Sequence, residues 1–148
     1  VDAVYFCKGD ADLLKEARNA RVLVATARVL PVIHQAGVRL DALVHSGRDP
    51  SERYSPGDLE VSPDLVATTD GEKGGSYTTR DGQSGRWRAV DLPSPAIDSY
   101  GAGDCFAAGL TWALASGLGV QDALNLAAQC GALANCRVGA YGPSRAGK

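Results

Sequence analysis

Short apolar runs alternate with amphipathic stretches through the first half of the chain. Four of these runs are rich in branched side chains and predict buried strands, at residues 4–7, 21–25, 42–45 and 65–69. Two amphipathic stretches predict helices between the first three strands, at residues 10–20 and 31–36. Asp10 is suited to cap the first helix, and Gly37 to end the second. This order is typical of parallel strands joined by helical crossovers.

The second half of the chain changes from strands to helices. After a polar loop, two short runs separated by a turn predict a hairpin, at residues 76–78 and 87–90. Two apolar helical stretches follow, at residues 103–116 and 120–136. The sequence therefore predicts an α/β fold with an open, mostly parallel sheet, in which ligands bind at the carboxyl ends of the strands.

Composition and charge are those of an ordinary globular domain and exclude several classes of function. A length of 148 residues suffices for one domain with a core, and 45% hydrophobic residues is an ordinary content. A net charge of −2 provides no basic surface for nucleic acid or anionic membranes. No apolar run approaches the ~20 residues of a spanning helix, and the first residues have no leader pattern. We therefore expect a cytoplasmic protein.

The cysteines and histidines give little support to metal, disulfide or triad chemistry. The four cysteines lack Cys-x-x-Cys spacing and are expected to be small buried side chains: Cys7, Cys105, Cys130 and Cys136. His34 and His45 have no Ser, Cys or Asp placed to complete a triad. The chain has no methionine and opens on an apolar run. We therefore expect the C-terminal part of a longer protein, with processing of the N-terminus as the alternative.

The segment over residues 98–109 carries the clearest chemical signal. It places glycines and an acid directly before an apolar helical run, where unpaired N–H groups and the helix dipole attract an anion. Gly101 and Gly103 allow close backbone approach to a phosphate, and Asp104 is placed to take a proton from an attacking hydroxyl. The alternative is a turn with a favourable first-turn charge, which contributes about 0.3–1 kcal/mol.

This segment resembles the C-terminal signature of the ribokinase (PfkB) family of carbohydrate kinases. That signature reads Asp, Thr or Ser, any residue, Gly, Ala, Gly, Asp, any residue, Phe, and residues 98–106 meet every fixed position. The resemblance implies a three-layer, ribokinase-like α/β fold and ATP-dependent phosphoryl transfer to a hydroxyl of a sugar or related small molecule. It further implies that Asp104 is the general base, and that the N–H groups of Gly101, Ala102, Gly103 and Asp104 form an anion hole.

A second glycine-rich turn follows the predicted strand at residues 65–69. Taken alone, such a turn most simply connects two strands of a hairpin. In the family, a Thr-x-Gly-x-x-Gly segment at this place helps to hold the nucleotide phosphates, and Thr69, Gly71 and Gly74 match it. The resemblance therefore implies that these three residues bind nucleotide.

The polar loop over residues 46–56 contains a pair of acids. The family carries an Asn-x-x-Glu motif near Mg²⁺ here, and Asp49 and Glu52 keep its spacing with Asp in place of Asn. Magnesium typically takes one or two carboxylates together with phosphate oxygens, so the resemblance implies a magnesium site. The alternative is a solvated turn.

The last helix and its exit, residues 127–140, also resemble the family. There the small-residue helix face lies beside the adenine, and the following loop binds a monovalent cation; close helix packing is the alternative. The resemblance implies potassium ligands from the Asp98 side chain and from three carbonyl groups, those of Tyr100, Asn135 and Val138.

The resemblance extends from about residue 1 to residue 140 but covers only the C-terminal half of a family member. It implies that residues 1–148 are the nucleotide-binding and catalytic part, without the N-terminal part that holds the sugar and forms the lid. The expected partners are a nucleotide and a small alcohol or sugar. Family members often pair through their lids, so the resemblance leaves a homodimer open. Two alternatives remain: a non-catalytic nucleotide-binding module, and a kinase for a nucleoside or vitamin-precursor alcohol.

Overall fold

The computed structural model describes residues 1–138, which form one six-stranded sheet with helices on both faces. The strands lie in chain order across the sheet: β1 (Ala3–Phe6), β2 (Val22–Thr26), β3 (Ala42–Ser46), β4 (Leu65–Thr69), β5 (Gly75–Thr79) and β6 (Ser84–Trp87). Strands β1 to β4 pair in parallel, and β4, β5 and β6 pair antiparallel. The predicted open, mostly parallel α/β sheet is confirmed.

Within residues 1–138, four α-helices cover the sheet: α1 (Ala11–Ala17), α2 (Leu30–Ala36), α3 (Ala102–Ala115) and α4 (Val120–Asn135). Asp10 caps α1 by accepting the N–H of Leu13 at 2.8 Å, and Gly37 ends α2 in the left-handed region at φ +63°. Among residues 1–138, no helix combines the length and apolar character needed to cross a membrane.

Alternating side chains divide the sheet between two cores. On β2, Val22 and Val24 join one buried cluster, whereas Leu23 and Ala25 join the other. The first cluster includes Leu110 of α3 and other residues of α3 and α4, and the second includes residues of α1 and α2. The fold therefore has three layers, with two helices on each side of the sheet.

Most predicted elements are present, and the second strand of the hairpin is the clearest error. The predicted strand at residues 87–90 is wrong, because the strand paired with β5 is Ser84–Trp87. A short turn, in which the N–H of Thr79 bonds to the carbonyl of Gln83, fixes a register that begins at Ser84. Backbone pairing thus selects polar residues that the apolar pattern did not.

The cysteines only partly follow the expectation of buried side chains. Cys136 is buried and Cys105 and Cys130 are half-buried, but Cys7 is exposed, so the expectation is wrong for Cys7. All four are free thiols.

Candidate active site

A cleft of about 910 Å³ lies at the carboxyl ends of the parallel strands. Residues at three consecutive strand ends contribute to it, namely Thr26, Ser46 and Thr69. Ala102 and Gly103, at the N-terminus of α3, form another part of its wall. This position is the one expected for a ligand in an open α/β sheet.

Asp104 lies in the first turn of α3, next to Gly103 of the cleft wall, and is held by two side chains that line the cleft. Its Oδ1 accepts a hydrogen bond from the hydroxyl of Tyr5 at 2.7 Å and another from Nη2 of Arg28. Arg28 also forms an ion pair with Glu52, with 3.3 Å between Nε and Oε1. One guanidinium therefore links the predicted base to one of the predicted magnesium ligands.

The N-terminus of α3 has the backbone shape needed for anion binding, with one of its N–H groups already used. Gly101 caps the helix in the left-handed region at φ +81°, where glycine is favoured. The N–H of Ala102 donates to the carbonyl of Ser99 at 3.2 Å. The N–H groups of Gly103 and Asp104 lie in the first helical turn, for which an α-helix supplies no acceptor.

The turn after β4 is a tight structure that requires glycine. Gly71 and Gly74 have φ of +55° and +83°, and the N–H of Asp70 bonds to the carbonyl of Gly74 at 2.8 Å. Thr69, Gly71 and Gly74 all line the cleft. A Cβ on Gly74 would lie 2.2 Å from the carbonyl oxygen of Trp87. The glycine there is thus fixed by packing between the turn and the exit of β6.

Arg48 lies against this turn and was not identified from the sequence. Its Nε donates to Asp70 Oδ1 at 2.8 Å, and its Nη2 lies 3.8 Å from Glu72 Oε1. The hydrogen bond from Arg48 holds the pKa of Asp70 below its usual value. Since Arg48 also lines the cleft, it adds positive charge beside the predicted phosphate-binding turn.

The two predicted magnesium ligands flank one short helical turn, Pro50–Glu52: Asp49 precedes it, Glu52 ends it, and both line the cleft. Asp49 caps this turn, and its Oδ1 accepts from the N–H and the hydroxyl of Ser51 at 2.8 and 2.7 Å. The side-chain hydrogen bond from Ser51 lowers the pKa of Asp49. Within residues 1–138, no three His, Cys, Asp or Glu residues form a complete metal cage. Two carboxylates that line one cleft nevertheless fit magnesium, which typically takes one or two carboxylates and completes its shell with phosphate and water.

Two of the predicted potassium ligands are neighbours. The carbonyl of Asn135 accepts the N–H groups of Ile97 and Asp98 at 2.8 and 3.3 Å, and Asp98 Oδ1 accepts the N–H of Tyr100 at 2.9 Å. A carbonyl has two lone pairs, so that of Asn135 is fully used in this arrangement. These residues therefore do not form a ready cation cage, and the potassium site stays a prediction.

The far wall of the cleft consists of small residues on α4, namely Ala128, Gly131, Ala132 and Asn135. Trp87 and Ala89 line the cleft from the exit of β6, and the Trp87 ring stacks on Phe106 with centroids 5.3 Å apart. A flat apolar ligand fits a wall of this kind. Residues 139 and 140, which belong to the loop after the last helix that is predicted to bind a monovalent cation, lie outside the described residues.

Tyr5 and Arg28, like Arg48, are residues of the candidate site that sequence reasoning missed. Tyr5 reads as one position of an apolar strand, and Arg28 as the start of a loop. A signal was present, because polar residues just beyond the carboxyl end of a parallel strand face the ligand crevice. Thr26 and Arg28 meet that rule for β2.

His45, at the end of β3 beside the cleft, makes stability depend on pH. Its Nε2 lies 2.7 Å from the hydroxyl of Thr68, and burial lowers its pKa. An unfolded His titrates near 6.5, so below that pH the unfolded chain binds the proton more readily than the folded chain. We expect the free energy of unfolding, measured in urea, to fall as pH drops from about 7.5 to 5.5.

His45→Gln is expected to remove part of this dependence. The exposed His34 provides the matched variant, His34→Gln, which should keep the wild-type slope. Equal slopes for wild type and His45→Gln would contradict this origin of the acid sensitivity.

Comparison with known proteins identifies a family for the sequence. Residues 58–146 match the family described as pfkB family carbohydrate kinase, which is more than half of the 148 residues. None of the curated proteins compared with the chain matches it.

Solved structures share the fold over nearly the whole chain. Ribokinase from Thermotoga maritima superposes with a TM-score of 0.75 at 18% identity and covers 94% of this chain and 52% of its own. A nucleoside kinase from Methanocaldococcus jannaschii has a TM-score of 0.72 at 16% identity, and the match covers 95% of this chain and 51% of the nucleoside kinase. Adenosine kinase from Sinorhizobium meliloti has a TM-score of 0.71 at 20% identity, and the match covers 96% of this chain and 51% of the adenosine kinase. The chain thus spans about half the length of each of these structures.

Proposed function

The chain belongs to the pfkB family of carbohydrate kinases, and we propose that it carries the nucleotide-binding and catalytic part of an ATP-dependent kinase. The acceptor is a hydroxyl of a sugar or a related small molecule. The observation that supports this most strongly is that the N-terminus of α3, whose first turn carries Asp104, and the glycine turn after β4 contribute to the walls of one cleft. Family membership and ribokinase-like neighbours indicate the same class of reaction.

In the proposed reaction, Asp104 accepts the proton of the acceptor hydroxyl. The hydroxyl oxygen bonds to the γ-phosphorus of ATP as the bond to the bridging oxygen breaks, and ADP leaves with that electron pair. General-base catalysis of this kind contributes about 10²–10⁴-fold to rate. Asp104 suits the role because its side chain is 45% exposed and lies in the first turn of α3, next to the cleft wall.

The N-terminus of α3 stabilises the charge on the transferring group. The N–H groups of Gly103 and Asp104, together with the positive end of the helix dipole, oppose negative charge on the phosphoryl oxygens. Thr69, Gly71 and Gly74 hold the remaining phosphates through the turn after β4. Asp49 and Glu52 would hold Mg²⁺, which neutralises phosphate charge when bound.

Replacing Gly103 tests the anion hole without disturbing the fold. A Cβ on Gly103 meets no atom within 4 Å, so Gly103→Ala should not lower the free energy of unfolding. The methyl group would instead keep a phosphate from the backbone. We expect phosphoryl transfer to fall about tenfold or more, a loss of about 1.4 kcal/mol in transition-state stabilisation.

Gly119→Ala is the matched control, because Gly119 lies at the start of α4, as its cap, and its added Cβ likewise meets no atom within 4 Å. It should leave transfer unchanged. If both variants retain full activity while folded, the α3 N-terminus is not the anion hole.

The chemical class of the acceptor can be identified by a transfer assay. Transfer from γ-labelled ATP to panels of sugars, nucleosides and other small alcohols, with ATP binding measured by calorimetry, separates the possibilities. Label on one class of acceptor identifies the substrate class. Since the chain spans about half the length of its structural neighbours, binding without transfer would favour a non-catalytic nucleotide-binding module. A folded protein that neither binds ATP nor transfers its phosphate would contradict the proposal.

A further inference from the structure

Two hydrogen-bond donors meet at one oxygen of the Asp104 carboxylate. The Tyr5 hydroxyl, on β1, and Nη2 of Arg28, on the turn after β2, both donate to Oδ1. Within residues 1–138, Oδ2 accepts no hydrogen bond. We propose that Tyr5 and Arg28 are positioning residues that hold Asp104 by Oδ1 and leave Oδ2 to accept the proton of the acceptor hydroxyl. This inference rests on the proposed kinase function.

The reason lies in the geometry of a carboxylate. Rotation about the bond to the carboxyl group is broad and roughly two-fold, so an unrestrained Asp presents either oxygen at many angles. Two donors on Oδ1 use its lone pairs and fix the plane of the group. Oδ2 then keeps its lone pairs in a defined direction. A base held in this way loses less orientational freedom when the acceptor binds.

Tyr5 is suited to act as a permanent donor. Its ring packs against the core that β1 shares with α3, which limits its movement. Burial, and then the negative carboxylate of Asp104, raise the pKa of the Tyr5 phenol above its ordinary value. The hydroxyl therefore keeps its proton over the working pH range of proteins and always donates to Asp104.

Arg28 is itself held in place by neighbours. Its Nε lies 3.4 Å from the hydroxyl oxygen of Thr26 and 3.3 Å from Glu52 Oε1, so the planar guanidinium joins Asp104 to Glu52. A lysine keeps the charge but cannot make these contacts simultaneously. Arg28 thereby fixes the distance between the proposed base and one of the acids proposed to hold magnesium.

The ion pair between Arg28 and Asp104 could either block Asp104 or position it, and the two roles predict opposite effects on turnover. If the ion pair blocked Asp104, removing Arg28 would raise turnover. If it positions Asp104, removing Arg28 lowers turnover with little effect on nucleotide affinity, because its guanidinium is bonded to the carboxylates of Asp104 and Glu52.

The test compares Tyr5→Phe, Arg28→Lys and Arg28→Met in the full-length kinase, using its identified acceptor. We expect Tyr5→Phe to lower kcat about tenfold, as for one lost hydrogen bond, with KM for ATP within about twofold. Arg28→Met should lower kcat about 100-fold, and Arg28→Lys should recover part of that loss. Tyr77→Phe and Arg39→Lys, in β5 and on the surface away from the cleft, are the matched controls and should retain wild-type kcat.

A spectroscopic measurement tests the contact without turnover. With ¹³Cζ-labelled tyrosine, the Tyr5 resonance is the one missing from Tyr5→Phe, and it should shift in Asp104→Ala. An unshifted resonance, wild-type kcat in Tyr5→Phe and Arg28→Met, or a raised kcat in Arg28→Met would each overturn the inference. If the Tyr5 resonance shifts in Asp104→Ala but the wild type transfers no phosphoryl group, the contact is present and the proposed function fails, and the catalytic role of these residues fails with it.

Discussion

Asp104→Asn lowers phosphoryl transfer by about 10²-fold or more while ATP binding stays close to wild type. The amide has nearly the shape of the carboxylate, so α3 and its contact with Tyr5 persist. It cannot accept the proton of the acceptor hydroxyl, and the barrier rises by about 2.7 kcal/mol or more. Steady-state kinetics with the identified acceptor, and calorimetric titration with ATP, measure the two effects separately.

Asp122→Asn is the control for this variant. Asp122 lies in the first turn of α4, is exposed, and is not part of the cleft. It should change neither kcat nor ATP affinity, which would separate general-base chemistry from loss of a helix-terminal charge. Unaltered turnover in Asp104→Asn would remove Asp104 from the role of base.

Gly74→Ala is expected to damage the fold severely. Gly74 has φ +83°, and an added Cβ would lie 2.2 Å from the Trp87 carbonyl oxygen and 2.8 Å from the Ala89 nitrogen. Both are backbone atoms and cannot move aside as a side chain would. Strain and overpacking together should lower the free energy of unfolding by about 3 kcal/mol or more. Urea unfolding followed by circular dichroism measures the change.

Gly82→Ala separates the two contributions to that loss. Gly82 also has positive φ, +90°, but an added Cβ there meets no atom within 4 Å. It should cost only the conformational strain, about 1–2 kcal/mol. Equal losses in the two variants would mean that the turn after β4 does not pack against the exit of β6 as described. Gly74→Ala should also weaken ATP binding, whereas Gly82→Ala should not.

The sequence predicted the central sheet well because its side chains are sorted by burial. Strand β4 has the predicted bounds, and every predicted helix is present. Helix α1 ends at Ala17 instead of residue 20. The side chain of Arg18, the next residue, donates hydrogen bonds to the Asp41 carboxylate and to the Ala20 carbonyl. Periodicity in a sequence does not contain such tertiary hydrogen bonds.

Only the part of the candidate site that has a local sequence pattern could be predicted. Glycines and acids at a helix start have a local signature, so Gly101 and Asp104 were identified from neighbouring residues alone. The contact of Tyr5 with Asp104 joins residues 99 positions apart, and no local pattern reports it. It arises because β1 and the N-terminus of α3 come together once the sheet forms.

Transfer of γ-labelled phosphate from ATP to an acceptor hydroxyl, by the protein in its full natural form, is the decisive measurement for a kinase with Asp104 as its base. We expect labelled acceptor from the wild type, and loss of that label in Asp104→Asn while ATP remains bound. A folded wild type that labels no sugar, nucleoside or other alcohol would rule out the kinase activity, and an Asp104→Asn variant that labels its acceptor at the wild-type rate would rule out Asp104 as the base.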